Sequence, residues 1–246
     1  MIAALARIAG RERDARSDAR LALLLVFVAG AANAGGFMAV GHYTSHMTGI
    51  VSGMADDLAL GRLTLVAAGA GALAAFLAGA ALCSLMVNWA RRRGLRSLFA
   101  LPLALEAALL GGFGLVGALS GEALRAGAAL AVTLLLCFLM GLQNAVITKL
   151  SGATIRTTHV TGLVTDLGIE IGRALYPSRD RSGGGLAPVR ADRARLVTLA
   201  GLAATFFGAG TLGALGFRWL GPAAALPLAG LLAAIAAPPV AADLRR

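Results

Sequence analysis

Charged and aromatic residues are scarce in this sequence. Only 14% of its 246 residues are Asp, Glu, Lys or Arg, and only 5% are aromatic. An ordinary soluble domain carries about 25% charged residues. The chain is 58% hydrophobic, its mean hydropathy is +0.80, and apolar runs of about 20 residues recur along it, the length that a bilayer core demands of a helix. The composition therefore predicts an all-α membrane protein in contact with the lipid bilayer, and it excludes an ordinary soluble domain.

Cysteine and histidine are also rare, which argues against metal and redox chemistry. The chain has two Cys and three His, and Cys83 and Cys137 lie in separate apolar runs where a thiol usually serves as small apolar filler. Because neither paired cysteines nor a His-Glu-x-x-His motif is present, we predict no enzyme activity, no cofactor and no metal site. The net charge of +10 does not predict nucleic-acid binding, since the arginines lie between apolar runs with few aromatics beside them.

A polar motif occurs twice in the chain, about half a chain length apart. The pattern His-x-Thr-Gly lies in stretches 45–62 and 157–173, and each stretch closes on Gly-Arg. Upstream of each, an apolar run carries Gly-x-x-Asn-Ala. A duplicated motif of this kind predicts an internal repeat, the plan of many transporters. The Asn and Gly positions are expected to break helices and the His and Thr positions to contact solute; they are Asn33, His46, Thr48, Gly49, Asn144, His159, Thr161 and Gly162.

The distribution of Lys and Arg predicts which segments cross the membrane. With the N-terminus inside, eight crossings would place 15 of these residues inside and 7 outside, whereas six crossings would place 19 inside and 3 outside. The positive-inside rule favours six transmembrane helices plus two short broken or re-entrant helices. The two halves then form an inverted pseudo-repeat, and both termini are cytoplasmic. The predicted parts are a basic tail at 1–20, repeats at 21–119 and 126–240, and a flexible loop at 177–195.

Glu106 is the acid that the sequence places deepest in an apolar run. It lies eight residues into the run that starts at Leu98, about 12 Å along a helix. A carboxyl at that depth is expensive, which makes it a candidate for solute binding or coupling; a purely structural hydrogen bond is the alternative. We expect Glu106 to face the polar stretches, and we expect His46, Thr48, His159, Thr161 and Asp166 to meet in the bundle interior. Asp56, Asp57 and Glu170 are expected nearer the mouths, and this position is the alternative for Asp166. At a mouth, Asp56 and Asp57 would be solvated helix ends or partners of Arg62.

The longest polar motifs carry a family resemblance. Residues 33–49 read NAGGFMAVGHYTSHMTG, residues 141–145 read GLQNA, residues 156–162 read RTTHVTG and residues 165–173 read TDLGIEIGR. Together they resemble the YoaK family of bacterial multi-pass membrane proteins, a domain of unknown function. The resemblance implies a protein of the bacterial inner membrane and brings no substrate with it.

Two classes of function remain open at this point. The first is a small-solute transporter or channel with its site between the two polar helices, with protons among the candidate solutes. The alternative is a non-transporting membrane scaffold, sensor or assembly factor. The repeat with polar breaks favours the first class, whereas a scaffold would be expected to carry an extended soluble region. A homo-oligomer is compatible with both.

Overall fold

The structure, a computed structural model, describes residues 15–120, 127–150, 160–176 and 189–245. These residues are helical and contain no strand. The predicted basic tail and the predicted loop at 177–195 lie largely outside the described residues. The helices are α1 Ala15–Val40, α2 Met47–Ala59, α3 Leu63–Arg92, α4 Ala100–Leu119, α5 Ala129–Leu150, α6 Val160–Leu175, α7 Arg193–Leu220 and α8 Ala225–Leu244.

Five stretches within the described residues are long and apolar enough to cross a membrane. The last of them, Arg193–Leu244, runs for 52 residues and contains α7, a 3-10 turn at Gly221–Ala224, and α8. Gly221 has φ +58, a left-handed conformation that favours glycine and ends α7. The multi-pass, all-helical prediction is confirmed. The arrangement of six spans, two re-entrant helices and an inverted repeat stays a prediction.

Helices α1 and α7 pack side by side through small residues and run in the same direction. A Cβ on Gly30 would collide with the Phe206 carbonyl, and one on Gly213 would collide with the Ala31 backbone. Further along, Gly35 packs against the ring of Phe217. The residue numbers rise together on both helices, so the pair is parallel. Glycine lets the two backbones approach this closely.

Helices α3 and α5 repeat this arrangement. A Cβ on Gly79 would collide with the Phe138 carbonyl, and one on Gly141 would collide with the Phe76 carbonyl. These two parallel pairs, α1 with α7 and α3 with α5, are the most extensive helix contacts in the described residues. Each pair joins one helix from the first half of the chain to one from the second. The two halves of the chain are therefore interlocked.

Helices α4 and α8 form an antiparallel pair that defines one end of the bundle. Gly111 faces Ala229, and Gly117 faces Pro222. The Asp243 carboxylate, at the end of α8, accepts hydrogen bonds from the N–H of Arg96 at 3.0 Å and of Ser97 at 2.8 Å. The end of α8 thus lies beside the start of α4 and the cluster Arg91–Arg96. We call this end of the bundle the arginine end.

The opposite end holds the other termini of the long helices. The rings of Phe113 on α4 and Phe217 on α7 stack with centroids 6.2 Å apart, close to where both helices finish. Because α1 is parallel to α7, and α5 is parallel to α3, α1 finishes and α5 starts at this opposite end. A groove of about 650 Å³ lies where these helix ends meet.

Helix α2 begins about 10 Å inward from the opposite end, measured along the bundle axis, and finishes at that end; none of its residues is buried. The link after α1 folds back, because Ser45 donates two hydrogen bonds to Asn33, seven residues before the end of α1. That spacing corresponds to about 10 Å of helix. At its other end α2 is tied to the start of α3 by an ion pair of 2.8 Å between Asp57 and Arg62. We call α2 and α6 the half-helices.

Helix α6 packs in the corresponding way at the arginine end. Near its start, Leu163 packs with Leu199 and Leu202 on α7 and with Val26 on α1. Near its finish, Glu170 accepts a hydrogen bond of 2.9 Å from the N–H of Asp192, just before α7 begins. The chain therefore runs antiparallel to the first part of α7. The two half-helices end at opposite ends of the bundle.

The expected helix breaks at Asn33 and Asn144 require a correction. Helices α1 and α5 continue through these residues to Val40 and Leu150, because an asparagine side chain can bond within or beyond its helix without ending it. Asn144 donates to the Met140 carbonyl one turn back, at 2.8 Å. Gly49 and Gly162 lie within the half-helices near their starts. The break in the first half falls instead at 41–46, where Gly41 has φ +79.

Candidate solute site

A cleft of about 620 Å³ borders the inner part of α2. Its walls come from α1, α2, α3 and α5, and they are mainly apolar. The polar side chains that line it are those of His42, Tyr43, His46, Asp57 and Thr133. At the rim the rings of Phe37 and Tyr43 stack with centroids 4.7 Å apart. Small-molecule sites are commonly concave, mostly apolar and of this volume, with a few polar groups that fix the orientation of the ligand.

Asn33 on α1 holds the link at 41–46, which forms part of the cleft wall. Its side chain is buried, and its Oδ1 accepts hydrogen bonds from the Ser45 N–H at 3.2 Å and from the Ser45 hydroxyl at 2.9 Å. The adjacent Thr44 is also buried, and its hydroxyl has no hydrogen-bond partner. The sequence placed Asn33 among the functional residues for its position in the repeat. In the structure its role is to hold the fold-back link.

His46 stands at the N-terminal boundary of α2. Its side chain makes no capping hydrogen bond to the helix, and its ring occupies the space that a Cβ on Gly49 would need. Gly49 is therefore required where the imidazole lies across the first turn. His46 and Thr48 are both exposed in the isolated chain. The first-turn N–H groups of a helix lack partners within it, so an imidazole and polar backbone groups adjoin the cleft.

Asp57 also lines the cleft, but its carboxylate is engaged in an ion pair. Its side chain is 19% exposed and pairs with Arg62 at 2.8 Å. This pair joins the finish of α2 to the start of α3 and so positions the half-helix. The sequence left Asp57 open between a solvated end and a partner of Arg62, and the structure shows the partner.

The acids of the second half-helix are engaged at the arginine end. Asp166 pairs with Arg195 at 3.0 Å. Glu170, expected near a mouth, is 1% exposed and pairs with Arg173 at 2.8 Å. Thr161 is exposed, and Gly162 has open space around it. His159 lies outside the described residues. The structure thus places Asp166 and His46 on half-helices that finish at opposite ends.

Glu106 lies in the bundle interior, apart from the cleft. Its side chain is 1% exposed, and its Oε2 has no hydrogen-bond partner. Gln143 on α5 is fully buried, and neither atom of its amide has a partner. Sequence reasoning missed Gln143, although it stands beside Asn144 in the motif Gly-Leu-Gln-Asn-Ala. The signal that could have found it is an uncharged polar residue far inside an apolar run.

One family model matches most of the chain. Its description is "Protein of unknown function (DUF1275)", and it covers residues 21–237, which include both half-helices and their motifs. This is the YoaK family, so the resemblance carried by the motifs is confirmed. No curated protein and no solved structure matches the chain.

Proposed function

This chain belongs to the DUF1275 family, and we propose that it is a small-solute transporter or channel whose solute binds in the cleft where α2 begins. The observation that supports this function is the fold-back of residues 41–46, which Asn33 holds at a level about 10 Å inward from the opposite end. Non-helical backbone at membrane depth is tolerated where it is buried in protein or lines a watery cavity. Here that backbone adjoins a cleft with His42, His46 and Thr133 on its wall.

The architecture that goes with this function is an inverted pseudo-repeat of six spans and two half-helices. Three features support it. In such a repeat α1 is equivalent to α5 and α3 is equivalent to α7. The pair α1 with α7 is then equivalent to the pair α5 with α3, and both pairs are parallel. The half-helices finish at opposite ends. The buried positions 72, 79, 83 and 87 of α3 recur with the same spacing at 202, 209, 213 and 217 of α7.

The orientation follows from the charges at the two ends. In the described residues Arg62 and Arg218 are the basic residues at the opposite end, and the arginine end carries the great majority of the others. Positive residues mark the cytoplasmic side of inner-membrane proteins. We therefore propose that the arginine end and both termini are cytoplasmic, in a bacterial inner membrane. The cleft at α2 then opens toward the outside.

Solute flux in proteoliposomes tests this function. Vesicles that contain the full chain are challenged with gradients of glycerol, urea or sodium acetate, and volume changes are followed by light scattering. At least one solute is expected to move faster than in empty vesicles. The His46→Ala variant should reduce that rate about tenfold or more, because it removes a polar group from the wall of the cleft. Such a loss corresponds to about 1.4 kcal/mol.

Leu212→Ala serves as the matched control, since Leu212 is 60% exposed on the outer surface of α7. Its flux should equal that of the wild type. Rates equal to those of empty vesicles for every solute would contradict transport of this solute class. A flux that His46→Ala leaves unchanged would contradict the site. The first result would favour the non-transporting scaffold, sensor or assembly factor.

A further inference from the structure

Two buried polar side chains in the bundle interior lack the partners that they need. Glu106 is 1% exposed with no partner for Oε2, and Gln143 is fully buried with no partner for either atom of its amide. A buried polar group without a hydrogen-bond partner destabilises the folded state. Native structures therefore contain few such groups, and each one asks for an explanation. Two of them, on helices α4 and α5 that pack together, indicate a missing polar ligand.

The two side chains occupy one layer of the bundle. Glu106 lies six residues after the start of α4 and Gln143 seven residues before the end of α5, so each is about 10 Å from the arginine end. Cys83 on α3 lies within electrostatic range of Glu106. Cys83 lies one turn after Gly79, and Gly79 is the residue at which α3 contacts the α5 backbone at Phe138 and Leu142. Cys83 is therefore near Glu106 on one side and near the Gln143 region of α5 on the other, which places Glu106 and Gln143 at a similar depth in the bundle.

The charge of Glu106 is not balanced by a neighbouring side chain. Among the ion pairs that the described residues form, none within 4.0 Å involves Glu106. The titratable and charged groups on the helices packed against α4 are Cys83, Arg91, Arg92, Cys137, Lys149 and Asp243. Arg91, Arg92 and Lys149 are exposed near the ends of their helices, and Asp243 is engaged by the N–H groups of Arg96 and Ser97. An ionised carboxylate at this depth in a membrane is strongly unfavourable unless a positive charge is bound beside it. It requires a cation.

We propose that Glu106 and Gln143 form an enclosed site for one monovalent cation, a proton or a sodium ion, separate from the cleft at α2. The carboxylate supplies the charge, and the Gln143 carbonyl supplies a second oxygen. A protonated Glu106 can donate to that oxygen directly or through a water. A sodium ion would bind the same two oxygens, which are hard ligands. This proposal does not depend on whether the cleft at α2 binds a solute.

The test uses the full chain in lipid nanodiscs and measures binding without transport. If the cation is a proton, the infrared band of a protonated carboxyl is present in the wild type and lost in Glu106→Gln. If the cation is sodium, replacing choline chloride by sodium chloride raises the Tm of the wild type by several degrees, because a ligand that binds only the folded state stabilises it. That shift is lost in Glu106→Gln. Either result supports the site and identifies the cation.

Glu170→Gln is the matched control, since it also removes a buried carboxylate, but one that Arg173 already neutralises. It should keep the infrared band or the sodium shift. Gln143→Leu retains Glu106 and covers the case in which Glu106→Gln fails to fold; it should move the band or reduce the sodium shift. The proposal is overturned if the wild type shows neither signal, or if Glu106→Gln keeps the signal. A signal that Gln143→Leu leaves unchanged overturns the two-residue site.

Discussion

Asn33 shows how one side chain sets the path of the chain across a distance that the sequence does not reveal. The repeated Gly-x-x-Asn-Ala motif singled out Asn33, but the expected helix break at this residue was wrong. Its partner, Ser45, is 12 residues away. Spacing along a helix identifies neighbours at three and four residues, whereas a contact through a fold-back link depends on the path of that link.

Replacing Asn33 by Ala should lower the free energy of unfolding by about 1–3 kcal/mol, since two hydrogen bonds are lost and each contributes about 0.5–1.5 kcal/mol. Ser45→Ala removes the hydroxyl bond and keeps the backbone bond, so it should cost about half as much. Denaturant unfolding of both variants in the same detergent measures the difference. Equal losses in the two variants would show that the backbone bond to Asn33 contributes nothing.

At the scale of elements, the sequence predicted the existence and type of the long helices well and their limits less well. Helix α1 begins at Ala15, six residues before the predicted start of its span at Leu21. Arg16, Ala19 and Arg20 have high helix propensity, so the helix can extend ahead of the apolar run. Gly79 and Gly141 let the backbones of α3 and α5 approach closely. Which helices they join could not be predicted, because Gly79 and Gly141 are complementary only when α3 and α5 lie side by side.

Gly79→Ala should destabilise the bundle, because its Cβ would collide with the Phe138 carbonyl in the backbone of α5. Overpacking of this kind costs about 1–3 kcal/mol. Gly112→Ala is the matched control: Gly112 lies in α4 with nothing within 4 Å of an added Cβ, so the better helix propensity of Ala should leave the protein unchanged or stabilise it by up to about 1 kcal/mol. Thermal unfolding compares the two. If Gly79→Ala is as stable as Gly112→Ala, the close contact of α3 and α5 is wrong.

Arg195→Gln should loosen half-helix α6 without unfolding the bundle. Arg195 pairs with Asp166 at 3.0 Å, and both side chains are about half exposed, so this pair contributes less than about 1 kcal/mol. Arg195 also lies 4.0 Å from the buried Glu170, which keeps its closer partner Arg173 in the variant. The effect is therefore expected in local opening: amide hydrogen exchange of residues 160–175 should become faster, while that of α3 stays the same. Arg193→Gln, two residues earlier and without an ion pair among those found in the described residues, is the control. Equal exchange in both variants would show that the pair does not anchor α6.

At the scale of the whole molecule, the interlocked halves explain why the described helices have two distinct ends. The parallel pairs carry α1 and α7 in one direction and α3 and α5 in the other. The sequence predicted this alternation from charge alone, by counting Lys and Arg on each side. It could not predict that α1 packs most extensively with α7 rather than with its neighbour in the chain, since that pairing depends on surfaces nearly 180 residues apart.

The positions of the arginines make the orientation of this bundle testable at both ends at once. In a background with Cys83 and Cys137 replaced by Ala, single cysteines are placed at Arg93 and Arg193, at the arginine end, and at Arg62 and Arg218, at the opposite end. A membrane-impermeant maleimide added to intact cells should label Arg62→Cys and Arg218→Cys, and it should label Arg93→Cys and Arg193→Cys only after the cells are opened.

The use of two positions at each end distinguishes a reversed orientation from a wrong arrangement of the helices. If Arg93 and Arg193 agree with each other but are labelled from outside, the orientation is reversed and the positive-inside argument is wrong. If they disagree, α3 and α7 do not have their ends on one side, and the inverted repeat fails together with the six-span arrangement.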